Sequence, residues 1–200
     1  MVRGSSCVLG GWVGPVGPVG PVGVVGVVGV VGVVGMDSEG SVIAVPNLVL
    51  LCGPAGAGKS THARRYAADG YAVASVDELA WAAGHPAVHP LPDDAARRVA
   101  EALRSRVVSL LDEGRDVVVD GSFWSRASRD EYRALGAAHG ADTLVVLVDT
   151  PRDVALARVA ARSAGHPHDV VLAPEVAAAF HDGFEVPTPD EGPLEVVPGA

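Results

Sequence analysis

Short apolar runs alternate with longer amphipathic stretches from Asn47 onward. Runs of four to eight residues that are rich in β-branched side chains and bounded by turn residues are typical of strands. The runs lie at residues 48–52, 71–75, 116–120, 143–149 and 194–197. Most are too apolar to face water on one side, which indicates strands buried between helices. The pattern predicts a three-layer α/β domain built on a parallel sheet of about five strands.

The stretches between these runs have helical periodicity. Helices are predicted at residues 60–69, 76–83, 93–114, 127–140, 151–164 and 174–180, with a Gly- and Pro-rich loop at 84–92. The third is the clearest, because Asp93 and Asp94 suit a helix start and Gly114 a helix end. Its predicted core face is made of Ala96, Val99, Ala100, Leu103, Val107, Leu110 and Leu111.

Residues 11–35 repeat Gly at every third position, and the first 35 residues carry one charge, Arg3. A hydropathy window would flag this stretch as a membrane span. Each interior Gly costs about 1 kcal/mol in a helix, however, and the prolines add breaks, so a span is disfavoured. We expect residues 1–40 to be a disordered low-complexity leader and residues 41–200 to form the domain. Met36 is the expected start of translation, which mass spectrometry of the native N-terminus would test.

The charge balance is acidic, with 15 basic and 24 acidic side chains and a formal net charge of −9. Nucleic acids and anionic membranes attract cationic surfaces, so both are disfavoured as partners. The two cysteines, Cys7 and Cys52, are far apart in sequence, and only Cys52 falls in the expected domain. A disulfide framework is therefore excluded, and a reducing cytoplasm is the expected compartment. The oligomeric state stays open.

A phosphate-binding loop is the strongest motif in the chain. GPAGAGKS, residues 53–60, matches G-x-x-x-x-G-K-[ST] between an apolar strand and a helix, which is the context that the motif requires. The glycines let backbone N–H groups surround phosphate oxygens, and the helix N-terminus adds partial positive charge. The predicted nucleotide contacts are Gly53, Pro54, Ala55, Gly56, Ala57, Gly58, Lys59, Ser60 and Thr61.

Lys59 is the only lysine in the chain, beside fourteen arginines. Its compact ammonium suits a point contact with the β- and γ-phosphates, and the Ser60 hydroxyl suits Mg²⁺. A chance Gly-rich turn is the alternative interpretation. The flanking strand and helix, together with the solitary lysine, favour the phosphate-binding loop.

The chain resembles the AAA-type P-loop kinases, a group with polynucleotide-kinase, zeta-toxin-like and chloramphenicol-phosphotransferase-like members. The resemblance covers about residues 47–197 and depends on GPAGAGKST, SVDELAW, VVVDGSF and an arginine-bearing helix after the fourth strand. It implies a P-loop NTPase fold with sheet order 2-3-1-4-5 and a lid segment. It also implies ATP with Mg²⁺ as phosphate donor and a hydroxyl group as acceptor, without fixing the acceptor.

Asp77 follows the second strand, at the sheet edge where open α/β proteins bind ligands. The resemblance makes it the candidate general base, with Glu78 as a possible substitute. The alternative interpretation is an N-cap for the helix that follows. Asp120 ends the third strand and is the candidate Mg²⁺ ligand beside Ser60, although Asp before Gly121 also suits an ordinary turn.

Three arginines are candidates for charge neutralisation at the phosphates. Arg126 is expected in the loop after Asp120, facing the acceptor or the phosphates, and its alternative is a solvated position near a helix start. Arg158 and Arg162 are four residues apart on one helical face. They precede a polar segment, residues 163–174, that suits a lid over ATP. A solvated face paired with acids such as Asp153 is the alternative.

The histidine pairs His85/His89 and His166/His168 occupy Pro-containing loops without further ligands, so a zinc site is disfavoured. Trp81, Phe123 and Trp124 near the expected acceptor pocket suggest a partly apolar or ring-bearing substrate, and packing explains them equally well.

The leading prediction is a kinase that transfers the γ-phosphate of Mg·ATP to a hydroxyl of a small molecule or nucleoside. A polynucleotide 5′-hydroxyl kinase is disfavoured by the acidic composition. A nucleotide-dependent switch without a transfer reaction is the alternative from another functional class.

Overall fold

The computed structural model describes residues 34–36, 42–85, 90–162 and 171–199. The chain divides into residues 1–31, none of which is described, and residues 32–200, which hold all the elements below. Most of the predicted leader and most of the predicted lid therefore lie outside the described residues. The same is true of His89, His166 and His168.

The strands of the described ranges form two sheets. They are β1 (Val34–Met36), β2 (Val42–Ala44), β3 (Asn47–Cys52), β4 (Ala72–Ser75), β5 (Val117–Asp120), β6 (Asp142–Asp149) and β7 (Leu194–Pro198). Strands β1 and β2 pair antiparallel across the predicted domain boundary. The other five form a parallel sheet in the order β4-β5-β3-β6-β7. This is the order 2-3-1-4-5 that the resemblance implies, so the three-layer P-loop NTPase fold is confirmed.

The described helices agree with the periodicity to within a few residues. They are α1 (Lys59–Ala68), α2 (Val76–Ala82), α3 (Asp93–Asp112), α4 (Arg126–Ala138), α5 (Arg152–Ala160) and α6 (Pro174–Asp182), with a 3₁₀ turn at Pro189–Glu191. Arg126 was expected in a loop, but it is the first residue of α4, because the Ser125 hydroxyl accepts the Ser128 N–H and caps the helix there. No helix in the described ranges has the length and apolarity needed to cross a membrane.

Strand β3 shows why the sheet lies in the middle layer. Leu48, Leu50 and Cys52 face the core cluster that includes α3 and α4 side chains, whereas Val49 and Leu51 face the cluster that includes Ala63 of α1. Both faces of the strand are buried, as expected for a parallel sheet covered by helices. The carboxyl ends of β3, β4 and β5 thus come to one edge, where the predicted site residues are found.

The core face of α3 differs slightly from the prediction. Ala95 is buried, whereas Ala96 and Ala100 are exposed. The rest of the predicted face is buried as expected, at Val99, Leu103, Val107, Leu110 and Leu111. Periodicity alone tolerates either alanine at the edge of the stripe, so packing against the sheet decides between them.

Candidate nucleotide and phosphate-transfer site

The phosphate-binding loop, residues 53–60, connects β3 to α1. Gly56 has φ +81°, and a Cβ built on it would overlap the backbone carbonyl oxygen of Ala155 in α5. Gly58 lies just before α1 with φ +105°. Backbone strain and the close approach of α5 therefore both require glycine at position 56. The fold, and not composition alone, explains the glycine at that place.

Three contacts join the phosphate-binding loop to other segments of the fold. The Thr150 hydroxyl, just after β6, donates to the Ala57 carbonyl at 2.8 Å, and the Gly53 N–H donates to the Ser122 carbonyl at 3.1 Å. Ala55 packs against the apolar cluster of α5 and α6. Thr150 has a structural role here that the sequence analysis did not identify. Its signal is its position directly after β6, the strand that pairs with β3 in the sheet.

The Lys59 ammonium lies folded over the phosphate-binding loop. Its Nζ donates to the carbonyl oxygens of Gly53 at 2.8 Å and Pro54 at 2.9 Å. Burial lowers the pKa of Lys59, while the carboxylates of Asp120 and Asp77 oppose that shift and favour the charged form. Both carboxylates are thus close enough to Lys59 to act on its charge.

Asp120 and Ser60 are brought together at the end of β5. Burial raises the pKa of the Asp120 carboxyl above its usual value, and a hydrogen bond from the Ser60 hydroxyl and the Lys59 charge work in the opposite direction. A hydroxyl beside a carboxylate is a pair of hard oxygen ligands, which Mg²⁺ prefers and which it completes with phosphate oxygens and water. The donor set therefore fits the implied ion. Within the described ranges no group of three or more His, Cys, Asp and Glu could hold a metal.

The structure rules out a capping role for Asp77. Ser75 is the N-cap of α2, because its Oγ accepts the Glu78 N–H at 3.4 Å. Asp77 instead lies in the first turn of α2, where a carboxylate interacts favourably with the helix dipole. Because Ser75 pairs in register with Asp120, Asp77 and Asp120 follow neighbouring strands at the same edge of the sheet.

Arg158 lies in α5, but Arg162 lies beyond the last residue of the helix, Ala160, so the prediction that both arginines share one helical face is wrong for Arg162. The Arg158 Nη1 donates to the Gly56 carbonyl at 3.5 Å, which is a long contact. The Arg162 charge contributes to lowering the pKa of Lys59. Arg162 is the second residue after α5 and precedes the undescribed residues 163–170. The sequence left open an alternative in which these arginines pair with acids such as Asp153. Among the ion pairs of the described residues, neither arginine pairs with Asp153; the arginine of α5 that does pair is Arg152, with Asp182.

Arg126 is held by carboxylates of other segments. Its guanidinium pairs with Asp190 at 2.8 Å and Asp130 at 3.7 Å, and its backbone N–H donates to Glu185 at 2.7 Å. These contacts place Arg126 with the chain that precedes β7, in contrast to Arg162, whose charge acts on Lys59. Arg64 of α1, which the sequence analysis missed, contributes to lowering the pKa of Asp120. Its signal was the four-residue spacing from Ser60 on one helix face.

The β5–α4 loop, residues 121–125, is tied to the phosphate-binding loop and to the C-terminal segment. Phe123 has φ +43°, the only positive φ among non-glycine residues in the described ranges. Its carbonyl accepts from the Cys52 thiol at 3.4 Å and from Arg129 Nη1 at 3.0 Å. Arg129 of α4 is fully buried. The sequence analysis did not predict this, because arginine side chains in helices are mostly exposed to solvent.

Comparisons with known proteins agree with this geometry. A family model described as "AAA domain" matches residues 48–187, and no curated protein matches the chain. A sugar kinase from Janibacter sp. HTCC2649 is 23% identical with a TM-score of 0.58, covering 76% of this chain and 85% of its own.

Two further solved structures share the fold. A gluconokinase from Sinorhizobium meliloti 1021 is 25% identical with a TM-score of 0.55, covering 78% of this chain and 83% of its own. Kti12 from Chaetomium thermophilum, in complex with ADP-AlF₃, is 16% identical with a TM-score of 0.54, covering 76% of this chain and 88% of its own.

Proposed function

Because the chain belongs to the AAA domain family and has the P-loop kinase-like fold, we propose that it transfers the γ-phosphate of Mg·ATP to a hydroxyl of a small molecule or nucleoside. The observation that carries the proposal is one cluster. Lys59, Ser60, Asp120 and Asp77 lie at the same sheet edge, where the three charged groups act on one another and the Ser60 hydroxyl donates a hydrogen bond to Asp120. A nucleotide-binding site needs the first three, whereas Asp77 is the additional group that a phosphotransferase needs.

The nucleotide would be held by the chain's own backbone and side chains. The N–H groups of the phosphate-binding loop and the start of α1 face the phosphates, and the Lys59 ammonium exchanges its carbonyl contacts for phosphate oxygens. Ser60 and Asp120 supply the oxygen ligands for Mg²⁺. When bound, the ion neutralises the charge that develops on the transferring phosphoryl group.

Asp77 would act on the acceptor. As the acceptor oxygen forms its bond to the γ-phosphorus and the bond to the ADP oxygen breaks, the Asp77 carboxylate takes the proton of the attacking hydroxyl. Arg158 in α5, which contacts the Gly56 carbonyl, and Arg162, whose charge acts on Lys59, would supply positive charge to the phosphates. Catalysis on this account comes from positioning and charge neutralisation.

The negative net charge supports a small acceptor over a polynucleotide. A polynucleotide carries one phosphate per nucleotide and needs a cationic track, and in the described ranges arginines such as Arg126 and Arg152 are already paired with carboxylates. A polynucleotide kinase would bind an oligonucleotide at low salt with a steep salt dependence. Absence of such binding would remove that alternative.

The proposal is tested by comparing Asp77→Asn with the wild-type protein and with Glu78→Gln, which removes the charge of the other candidate base. A panel of hydroxyl compounds is screened for ATP consumption, with Lys59→Ala as the background. We expect Asp77→Asn to lose about 10²–10⁴-fold in transfer rate while calorimetry still detects Mg·ATP binding. Glu78→Gln should keep the activity.

Two outcomes would contradict the proposal. If Asp77→Asn retained the full transfer rate, Asp77 would not be the base. If no hydroxyl compound stimulated ATP consumption while Mg·ATP bound normally, the nucleotide-dependent switch would be the better interpretation.

A further inference from the structure

Trp124 is an exposed aromatic side chain on an immobilised loop. Trp124 is 57% exposed, although the large apolar surface of a tryptophan is usually buried in a core or an interface. Of the three aromatic residues that the sequence pointed to near the acceptor, Phe123 belongs to the core. It is buried, and its ring packs edge-to-face on Tyr132 with 5.0 Å between the ring centroids.

The backbone of the β5–α4 loop is fixed at three consecutive carbonyls. The Ser122 carbonyl accepts from the Gly53 N–H, the Phe123 carbonyl accepts from Cys52 and Arg129, and the Trp124 carbonyl accepts from the Glu185 N–H at 2.8 Å. A loop held in this way loses little further entropy when a ligand contacts it. The loop that carries the Trp124 indole is therefore preorganised for binding a ligand.

Phe123 adds backbone strain to this arrangement. Its φ of +43° costs free energy for a residue with a bulky side chain, and such strain persists only where the surroundings over-determine it, most often at functional sites. The strained turn sends the Phe123 ring into the core and leaves the next side chain, Trp124, outside.

The loop also lies beside the catalytic cluster. The Ser122 carbonyl bonds to Gly53, the same residue whose carbonyl accepts from the Lys59 ammonium. Two residues of extended chain span at most about 7 Å, so Trp124 is anchored close to that contact. On the other side, a Cβ built on Gly121 would lie 3.5 Å from a methyl of Val76, the residue before Asp77 in α2.

We propose that the Trp124 indole is the face on which the acceptor lies, and that the acceptor is a neutral or cationic alcohol with a planar ring. This inference rests on the proposed function and specifies its substrate class. A flat, exposed indole offers stacking and apolar contact. Glu185, whose N–H bonds to the Trp124 carbonyl, brings a carboxylate to this part of the chain, and the charge of Arg126, two residues after Trp124, is already paired with Asp190 and Asp130. An anionic ring compound would meet repulsion there.

The test compares Trp124→Ala and Trp124→Phe with wild type, using probes of defined shape. Uridine and 2-phenylethanol carry planar rings, whereas glycerol, ribitol and glucose do not. The control is Val196→Ala, which truncates a comparably exposed apolar side chain, 58% exposed, on the strand β7. Initial rates give KM and kcat for each probe, and calorimetric titration in the presence of Mg·ADP gives binding without turnover.

We expect the wild-type protein to prefer the planar probes. Trp124→Ala should raise the KM of a planar probe about tenfold or more with kcat and the KM for ATP little changed, and Trp124→Phe should recover most of the loss. Val196→Ala should change neither parameter. This split is specific to a contact with the acceptor, because general damage to the loop would also lower kcat and ATP affinity.

The inference and the proposed function fail separately. Transfer to glycerol, ribitol or glucose with a KM that Trp124→Ala does not change would overturn the inference and leave the proposed phosphotransferase function intact. Trp124-dependent binding of a planar probe without any ATP consumption would keep the acceptor face and overturn the transfer reaction. If neither planar probe binds, the inference is wrong, whatever calorimetry shows for Mg·ATP.

Discussion

Arg129 and Glu191 form a buried bidentate ion pair, with Nε–Oε2 and Nη2–Oε1 distances both of 2.7 Å. The two side chains are 0% and 2% exposed. The same guanidinium donates to the carbonyls of Phe123 and Glu185. One residue of α4 thereby joins the β5–α4 loop to the segment that leads into β7, and Arg133 adds a further contact to Glu191 at 3.3 Å.

Removing the negative partner should destabilise the fold strongly. Glu191→Gln leaves the buried Arg129 charge without its counter-charge, and breaking a buried pair in this way costs about 3–5 kcal/mol. Urea denaturation should report this loss in the free energy of unfolding. The control is Glu101→Gln on the exposed face of α3, which should stay within about 0.5 kcal/mol of wild type. Equal stability of the two variants would contradict the importance of the pair.

The same pair predicts how stability depends on pH. The hydrogen bond from Arg129 is the main cause that lowers the pKa of Glu191 from 4.5 to about 2. Because the folded pKa is below the unfolded one, the contribution is fully present above about pH 4.5 and is lost as the pH falls through about 2. The difference corresponds to about 3 kcal/mol.

This linkage is measured as the difference in unfolding free energy between wild type and Glu191→Gln from pH 2 to pH 7. The difference should be constant above about pH 5 and should shrink towards low pH. A difference that does not change over this range would show that Glu191 is not held ionised by Arg129.

Gly56→Ala separates steric overlap from backbone strain when it is compared with Gly84→Ala. The two glycines have φ of +81° and +84°, but nothing lies within 4 Å of a Cβ built on Gly84. Gly84→Ala should therefore cost only the left-handed penalty of about 1–2 kcal/mol. Gly56→Ala should cost more in thermal or urea unfolding, and it should also weaken Mg·ATP binding, because α5 and the phosphate-binding loop must separate. Equal costs would contradict the close approach of Ala155.

Asp120→Asn tests the assignment of Asp120 to Mg²⁺. The amide keeps a hydrogen-bond acceptor for the Ser60 hydroxyl but removes the negative charge that a divalent ion requires. We expect the Mg²⁺ concentration for half-maximal activity to rise at least about tenfold, while binding of metal-free ATP is kept. Asp142→Asn is the control, since it removes an exposed carboxylate at the opposite end of the sheet strands. A Mg²⁺ requirement equal to that of the control would contradict the assignment.

Local patterns were sufficient to predict the strands, most helices and the phosphate-binding loop, because each is encoded within a few neighbouring residues. The strand order came from the family resemblance and not from the pattern. Contacts between residues far apart in sequence were not predictable: Arg129 and Glu191 are 62 positions apart. Asp77 was also ambiguous, because an acidic residue suits either the N-cap or the first turn, and only the hydrogen bond to Ser75 decides.

Lys59 is a position at which the protein can be labelled selectively. It is the sole lysine, and its Nζ donates to two backbone carbonyls of the phosphate-binding loop. An amine-acylating reagent therefore has one side-chain target beside the terminal amine. The mass that such a reagent adds at this position, with and without a triphosphate present, would report the fraction of molecules that hold a nucleotide, and the measurement needs no phosphate acceptor.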